Sequence, residues 1–367
     1  MDASWIPFER SEPLRIAQIA GVAFRVPPRS TGGTELVIAN LTRGLRERGH
    51  RVTLFASGDS RTDAELRSVL PRAAQDDPSS NLYLERELDV RNVFEAYGNS
   101  GDFDVIHAHW PTPAPYFSAT APCPTLLTFD YMEKSVYEYY RERFPRLRFA
   151  CVSRAQADAL DPGLPVVANG IDVDRVPFGR SPGGFLLTVG RLVPSKGAAA
   201  AIEIARRSGL PLVIVGDVSP YLPESRRYYE SEIAPHVDGS RVVHHPRLPN
   251  REVLDLMSRA RAFLFPIEWE EPFGLVAAEA MAAGTPVIAT PRGALPELVE
   301  EGVTGWLGAT IDDLVAAAGR TEAFDRRRCR DRARERFGYR RMAANYEKLY
   351  LRIAREAPAR ARRAAGR

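Results

Sequence analysis

The chain has 367 residues, of which 44% are hydrophobic and 26% charged, and its formal net charge is +3. That length accommodates two or more domains with large cores, and the near-balanced charge gives no reason to expect a nucleic acid partner. Scattered cysteines (Cys123, Cys151 and Cys329), no zinc-type spacing, no apolar run near the roughly 18 residues of a membrane span and no signal-peptide core argue against a disulfide scaffold, a structural metal and a membrane anchor, so a cytoplasmic location is expected.

In chain order, LRIAQIAG (14–21) predicts a short buried strand. A loop with Pro27, Pro28 and STGGTE (30–35) follows, then ELVIANLTRGLRERGH (35–50), where Val37, Leu41 and Leu45 recur at helical spacing. RVTLFASG (51–58), FDVIHAHW (103–110), PTLLTFD (124–130) and RFACVS (148–153) read as further strands. NGIDVDRVPFGRSPGG (169–184), rich in Gly, Pro and Asp, marks a linker. The second half repeats the plan with strand FLLTVGRL (185–192), turn VPSKG (193–197), helix AAAAIEIARRSG (198–209) and strand LPLVIVG (210–216). RVVHHPRL (241–248), a helix from Asn250 to Ala260, RAFLFPI (261–267), a helix over 275–283 and PVIAT (286–290) continue the alternation. This pattern predicts an α/β protein of two Rossmann-like, doubly wound parallel-sheet domains facing a central cleft, with ligands beyond the carboxyl ends of the strands. The expected domains are 1–177 and 178–338, followed by an amphipathic helix over 339–356 and a disordered basic tail over 357–367.

The most informative stretch is EWEEPFGLVAAEAMAAGTPVIAT (268–290). Pro272 and Gly274 forbid a regular helix before about residue 274, and the helix that follows is apolar nearly all round, hence buried. Its free N–H groups near Phe273, Gly274 and Leu275 make a ready anion site. Glu279 lies about one turn in, and a carboxylate there needs hydrogen-bond donors. A sugar diol is one candidate, and an arginine behind the helix is another. Glu271 stands at the mouth of the same site.

Other features bear on that site. In GRLVPSKG (190–197), Arg191 and Lys196 flank a turn at a strand's carboxyl end, where two cations would neutralise a diphosphate or form an ordinary surface charge pair. Arginine is used almost wherever a positive charge serves, since only Lys134, Lys196 and Lys348 are lysines. Gly32 and Gly33 permit close backbone approach to a ligand or simply a flexible loop, without the GxGxxG of nicotinamide-binding folds. His107 and His109 point the same way along a strand, and His109 is nearer the cleft end, as a site residue or as a packed core histidine. Asp102 and Asp104 resemble a metal-binding DxD, yet read better as the polar entry to the following strand.

Together these motifs resemble the retaining glycosyltransferases of the GT-B fold, close to family four. The resemblance rests on Glu271-PFGLVAA-Glu279, MAAGTPVIAT, GALPELVEEGVTGWL (293–307), GRLVPSKG, NGIDVDRVPF, DVIHAHWP and GGTELVIANLTRGLRERGHRVTLFASG, and spans Leu14 to about Tyr350. It implies that Glu279 binds the donor ribose, Glu271 the transferred sugar, and Arg191 with Lys196 the diphosphate. It implies that amides at Phe273, Gly274 and Leu275 contact sugar and phosphate, that main chain at Arg247 and Leu248 reads the base, and that Gly32 and Gly33 touch phosphate. His109 would sit beside the reacting sugar, and the 339–356 helix would cross back onto the N-terminal domain. Relatives often carry histidine where LLTFD has Asp130, so the acceptor side departs from the pattern. The implied activity is transfer of a hexose from a nucleotide-diphosphate sugar, UDP- or GDP-linked, to an acceptor hydroxyl, with no metal or other cofactor. A nucleotide-sugar epimerase and a non-catalytic sugar-nucleotide-binding protein are the rival readings. A weak peripheral membrane contact is an open expectation, from Arg43, Arg46 and Arg48 on one helix and from the basic tail. The sequence leaves the oligomeric state open.

Overall fold

A computed structural model describes residues 12–30, 32–110, 112–219 and 222–356. The expected 357–367 tail lies outside the described residues.

The first sheet contains six parallel strands, β1 (Arg15–Ile19), β2 (Arg51–Phe55), β3 (Glu65–Arg67), β4 (Val105–Ala108), β5 (Thr125–Thr128) and β6 (Arg148–Ala150), in the order β3-β2-β1-β4-β5-β6. Helices α1 (Gly33–Glu47), α2 (Leu82–Gly98), α3 (Ala114–Ser118), α4 (Lys134–Arg143) and α5 (Arg154–Leu160) connect them. The second sheet holds β7 (Leu186–Val189), β8 (Leu212–Val215), β9 (Val242–His245), β10 (Ala262–Phe265), β11 (Val287–Ala289) and β12 (Gly305–Leu307), in the order β12-β11-β10-β7-β8-β9. Its helices are α6 (Ala198–Ser208), α7 (Pro223–Tyr228), α8 (Asn250–Arg259), α9 (Leu275–Ala282), α10 (Leu295–Leu298) and α11 (Ile311–Gly319). Both sheets follow the same doubly wound order, and each reverses direction where its first strand meets its fourth. The central strands are short, buried and rich in Val, Ile, Leu and Phe, as parallel sheets covered on both faces require, whereas the edge strands β3 and β9 are only partly buried.

Two chain crossings join the halves. The linker passes out near Ile171, and the chain returns between α12 (Arg326–Phe337) and α13 (Tyr339–Glu356). The crossings bind each other: Ile171 N–H donates to the Phe337 carbonyl at 2.8 Å, and Tyr339 N–H donates to the Ile171 carbonyl at 3.0 Å. Buried Arg330 fastens them to the site-bearing helix, donating to the carbonyls of Val173 (2.7 Å), Val176 (2.9 Å) and Ala282 (2.5 Å). A cation at the end of α9 also complements that helix's dipole.

α13 packs on α1 of the first half. Gly44 makes this approach possible, because a Cβ there would lie 2.6 Å from the Ala343 Cβ. Val37, Leu41 and Leu45 of α1 share one core with Met342, Tyr346, Leu349, Tyr350 and Ile353 of α13. Two of the three arginines considered for lipid binding already have acidic partners. Arg43 pairs with Glu47 and Asp172, and Arg48 pairs with Glu347. Among the described residues no helix is long and apolar enough to cross a membrane.

Some elements carry no sequence motif. In α2 only Asn92, Val93, Ala96 and Tyr97 are buried, whereas Leu82, Tyr83, Leu84, Val90 and Phe94 are exposed. Its apolar residues therefore mark no single face, and helical periodicity is lost. Asn81 still starts it in the ordinary way, accepting from the N–H groups of Tyr83 (3.0 Å) and Leu84 (3.1 Å).

Candidate functional site

The site forms where three loops meet at the carboxyl ends of β7 and β10. The turn after β7 closes at Gly197, whose φ of 74° suits glycine and where a Cβ would lie 2.0 Å from the Pro266 carbonyl oxygen. Glu268 N–H donates to the Ser195 carbonyl at 2.9 Å, so this turn is fixed to the loop after β10. Gly293 supports that loop from the other side. Its φ is 54°, a Cβ would lie 2.3 Å from the Glu271 carbonyl oxygen, and Ala294 N–H donates to the same oxygen at 2.8 Å. These contacts bring Lys196 and Glu271 together although 75 residues separate them.

Lys196 Nζ donates to Glu271 Oε2 at 2.8 Å, and Trp269 Nε1 donates to the same oxygen at 2.9 Å. The Lys196 ammonium also stands 4.1 Å from the Trp269 ring centroid. Burial holds the Lys196 ammonium below its ordinary pKa; the Glu271 carboxylate opposes that shift and the Arg191 charge adds to it. In this structure Lys196 is therefore an ion-pair partner of Glu271, where the sequence suggested a diphosphate ligand beside Arg191. Arg191 is exposed and makes no ion pair with a described residue.

α9 begins at Gly274, whose φ of 90° permits the sharp entry from the loop. No group of the described residues accepts from the N–H groups of Phe273, Gly274, Leu275 or Val276. Glu279 lies one turn further on, is 7% exposed, and its carboxylate receives no hydrogen bond and no ion pair from any described residue. Burial alone pushes its carboxyl up to about 7. The arginine considered as its partner is not there. The Glu279 side chain stands between a cavity of about 240 Å³ and one of about 720 Å³.

The N-terminal half supplies the opposite wall. Gly32 has a φ of 133°, and a Cβ there would lie 2.8 Å from Pro28 Cβ. A Cβ on Gly33 would reach 3.6 Å from Leu275 Cδ2, so the first turns of α1 and α9 face each other across the cleft. The smaller cavity is lined by Gly32, Gly33, Arg191, Arg247, Leu248, Leu275 and Glu279, all expected at the donor site, together with Gly216 and Asp217, which were not. Asp217 takes the Arg247 guanidinium at 2.7 Å. Lys196, Glu271, Phe273 and Gly274 are not on that wall. Phe273 is buried, with its ring centroid 5.8 Å from that of Phe337.

His109 differs from the expectation. It is buried, lines neither cavity, and belongs to a polar chain within the first half. His109 Nε2 meets Gln18 Oε1 at 2.5 Å, and Gln18 Nε2 donates to the Tyr350 hydroxyl at 3.0 Å. Tyr350 meets His107 Nδ1 at 2.6 Å, and His107 Nε2 meets Thr128 Oγ1 at 2.7 Å. Because an amide oxygen only accepts, the proton of His109 sits on Nε2, leaving Nδ1 as an acceptor. The two imidazoles lie tilted by 39° with centroids 3.9 Å apart, and burial holds His109 neutral, with a pKa near 3. Gln18 and Tyr350 escaped sequence reasoning because no motif marks them.

Asp130 follows β5 and accepts a hydrogen bond from the Thr34 hydroxyl, which ties it to the GG loop. Its neighbour Glu35 is buried, and burial together with the Asp130 charge pushes its carboxyl up to about 7. Asp104 serves the fold by fastening the start of β1. One of its carboxylate oxygens accepts from Arg15 N–H at 2.8 Å, and the other pairs with the Arg15 guanidinium at 2.9 Å.

Comparisons with known proteins concern the family and the fold. The model described as Glycosyltransferase Family 4 matches residues 31–175, and that described as Glycosyl transferases group 1 matches residues 175–339. The chain belongs to the group 1 glycosyl transferases. It is 28% identical to a D-inositol 3-phosphate glycosyltransferase of Xylanimonas cellulosilytica, over 90% of this chain and 94% of that protein. It is 35% identical to a glycogen synthase of Mycobacterium tuberculosis over 52% of this chain, and that match spans only about half (49%) of the synthase. HepE of Anabaena, solved with UDP and glucose, superposes with a TM-score of 0.69 at 19% identity, over 92% of this chain and 100% of HepE. That likeness concerns the fold, which is GT-B.

Proposed function

We propose that this group 1 family member is a retaining glycosyltransferase that moves a hexose from a nucleotide-diphosphate sugar to an acceptor hydroxyl. The acceptor classes in view are a small molecule, a natural product, a glycolipid or a glycan. The observation that carries the reading is Glu279, a buried carboxylate without a partner among the described residues, on a helix whose first turn (Leu275 and Val276) lines a cavity that Arg191 also lines. Ribose hydroxyls are neutral donors that would satisfy Glu279 without bringing an anion to it. The diphosphate would then meet the α9 amides and Arg191. A UDP- or GDP-linked donor is our choice of class, and the UDP complex of HepE supports the former.

The demanding step is cleavage of the anomeric C–O bond, which leaves negative charge on the departing diphosphate. Arg191, Lys196 and the α9 amides would stabilise that charge as it forms, so the reading needs no metal or cofactor. Glu271 shares one oxygen between an ammonium and an indole N–H, which suits a fixed hydroxyl acceptor better than a nucleophile. Retention would therefore proceed on one face of the sugar through an oxocarbenium-like transition state, without a glycosyl-enzyme. Closure of the domains would keep water out.

A thermal-shift screen with UDP, GDP, ADP and dTDP sugars tests this reading. A nucleotide sugar at 100 times its Kd should add about 2.7 kcal/mol of apparent stability. Failure of every donor to stabilise the protein, or epimerisation of a donor supplied without acceptor, would overturn it.

A further inference from the structure

We propose that Trp269 is a positioning residue, one that keeps the Glu271 carboxylate in place when Lys196 leaves it for the donor diphosphate. This rests on the donor assignment above. Glu271 Oε2 accepts from two donors of different kinds, Lys196 Nζ at 2.8 Å and Trp269 Nε1 at 2.9 Å. Oε1 has no protein partner among the described residues, so one lone-pair face is left for a sugar hydroxyl.

The two donors respond differently to a diphosphate. Lys196 ends in a mobile point charge on a flexible stem, and an incoming dianion competes directly with one carboxylate for it. A carboxylate deprived of its cation would then be repelled by the phosphates and drawn away from the sugar. The indole N–H is neutral and belongs to a rigid ring, so the dianion does not displace it. The Trp269 ring packs against the core of the second half.

The ring acts on Lys196 as well. The ammonium sits 4.1 Å from the Trp269 centroid and 5.9 Å from that of Phe265, so aromatic faces hold it at the carboxylate. Swinging from Glu271 toward the cleft keeps Lys196 near the same ring and limits the desolvation it undergoes. One side chain therefore guides the cation and anchors the carboxylate. The short sequence EWEE encodes this because Trp269 lies two residues before Glu271 on the same loop.

Trp269→Phe tests the idea, since it keeps an aromatic face and removes the N–H. The probes are UDP-glucose with UDP, and GDP-mannose with GDP, using whichever pair the wild-type protein binds. The expected result is unchanged melting temperature and nucleoside diphosphate affinity, with weaker binding and turnover of the nucleotide sugar. The loss should be about tenfold or more, the scale of one hydrogen bond to a charged group. In a Glu271→Gln background the same substitution should have little further effect. Equal weakening of nucleotide and nucleotide sugar, wild-type behaviour, or full additivity with Glu271→Gln would overturn the role of Trp269. A wild-type protein that binds neither pair would instead overturn the donor assignment itself.

Discussion

Glu279 is a carboxylate whose environment opposes its charge. Its pKa rises from an ordinary 4.5 to about 7 in the folded protein because burial disfavours ionisation. The native state therefore binds more protons than the unfolded state between about pH 4.5 and pH 7, and stability falls as pH rises through that window. Glu279→Gln removes the cost, so it should melt higher than wild type at pH 8, by up to about 3 kcal/mol, and match it near pH 4. Thermal unfolding at both pH values checks this. The same variant should lose affinity for a nucleoside diphosphate, so the site would gain stability by losing function. If Arg191 and Lys196 hold the leaving group as proposed, Arg191→Ala and Lys196→Ala should lower kcat by about a hundredfold with smaller changes in KM. Wild-type kcat with a raised KM in both variants would contradict that assignment. At this scale the sequence marked residues that meet at the proposed site, but not who pairs with whom. That Lys196 rests on Glu271 depends on Gly197 and Gly293 allowing two loops to touch.

At the scale of elements, the helices that carry the site were legible because their burial is periodic or complete. α9 is apolar nearly all round and begins at a glycine, and α13 spans Tyr339–Glu356, the range its amphipathic pattern suggests. α2 lacks such a stripe and was not legible. Contacts between elements of opposite halves were also hidden. Glu297 of α10 accepts from the N–H groups of Arg154 (2.8 Å) and Ala155 (2.6 Å), so an acid of the second half caps α5 of the first. Two helical amides and a favourable dipole hold this carboxylate where the halves meet. Glu297→Ala should cost about 1 kcal/mol and loosen the closed arrangement. A lower melting temperature with a larger radius of gyration in scattering is the expected result, and an unchanged radius would show that the cap does not hold the halves together.

Over the whole molecule, α13 closes the first half by a buried polar chain as well as by apolar packing. Tyr350 links Gln18 to His107, and Thr128 links His107 to Tyr346. Tyr350→Phe leaves buried groups on β1 and β4 without a partner, at a cost of about 1–3 kcal/mol. A melting temperature equal to wild type would contradict this. His109 belongs to the same chain, so its placement depends on a residue more than 200 positions away in sequence. The sequence by itself determined the doubly wound architecture and singled out several residues that line one cavity, Gly32, Gly33, Arg191 and Glu279 among them. Alternating buried strands and helices, a glycine at each tight turn and an acid in an apolar helix are local statements that need no partner to be read. Only the tertiary structure decided that Lys196 is held by Glu271 and Trp269, that His109 is locked to Gln18, and that Glu279 has no donor among the described residues. Each of these depends on which groups meet across loops and halves, and a hydrogen bond requires a distance that sequence spacing does not specify.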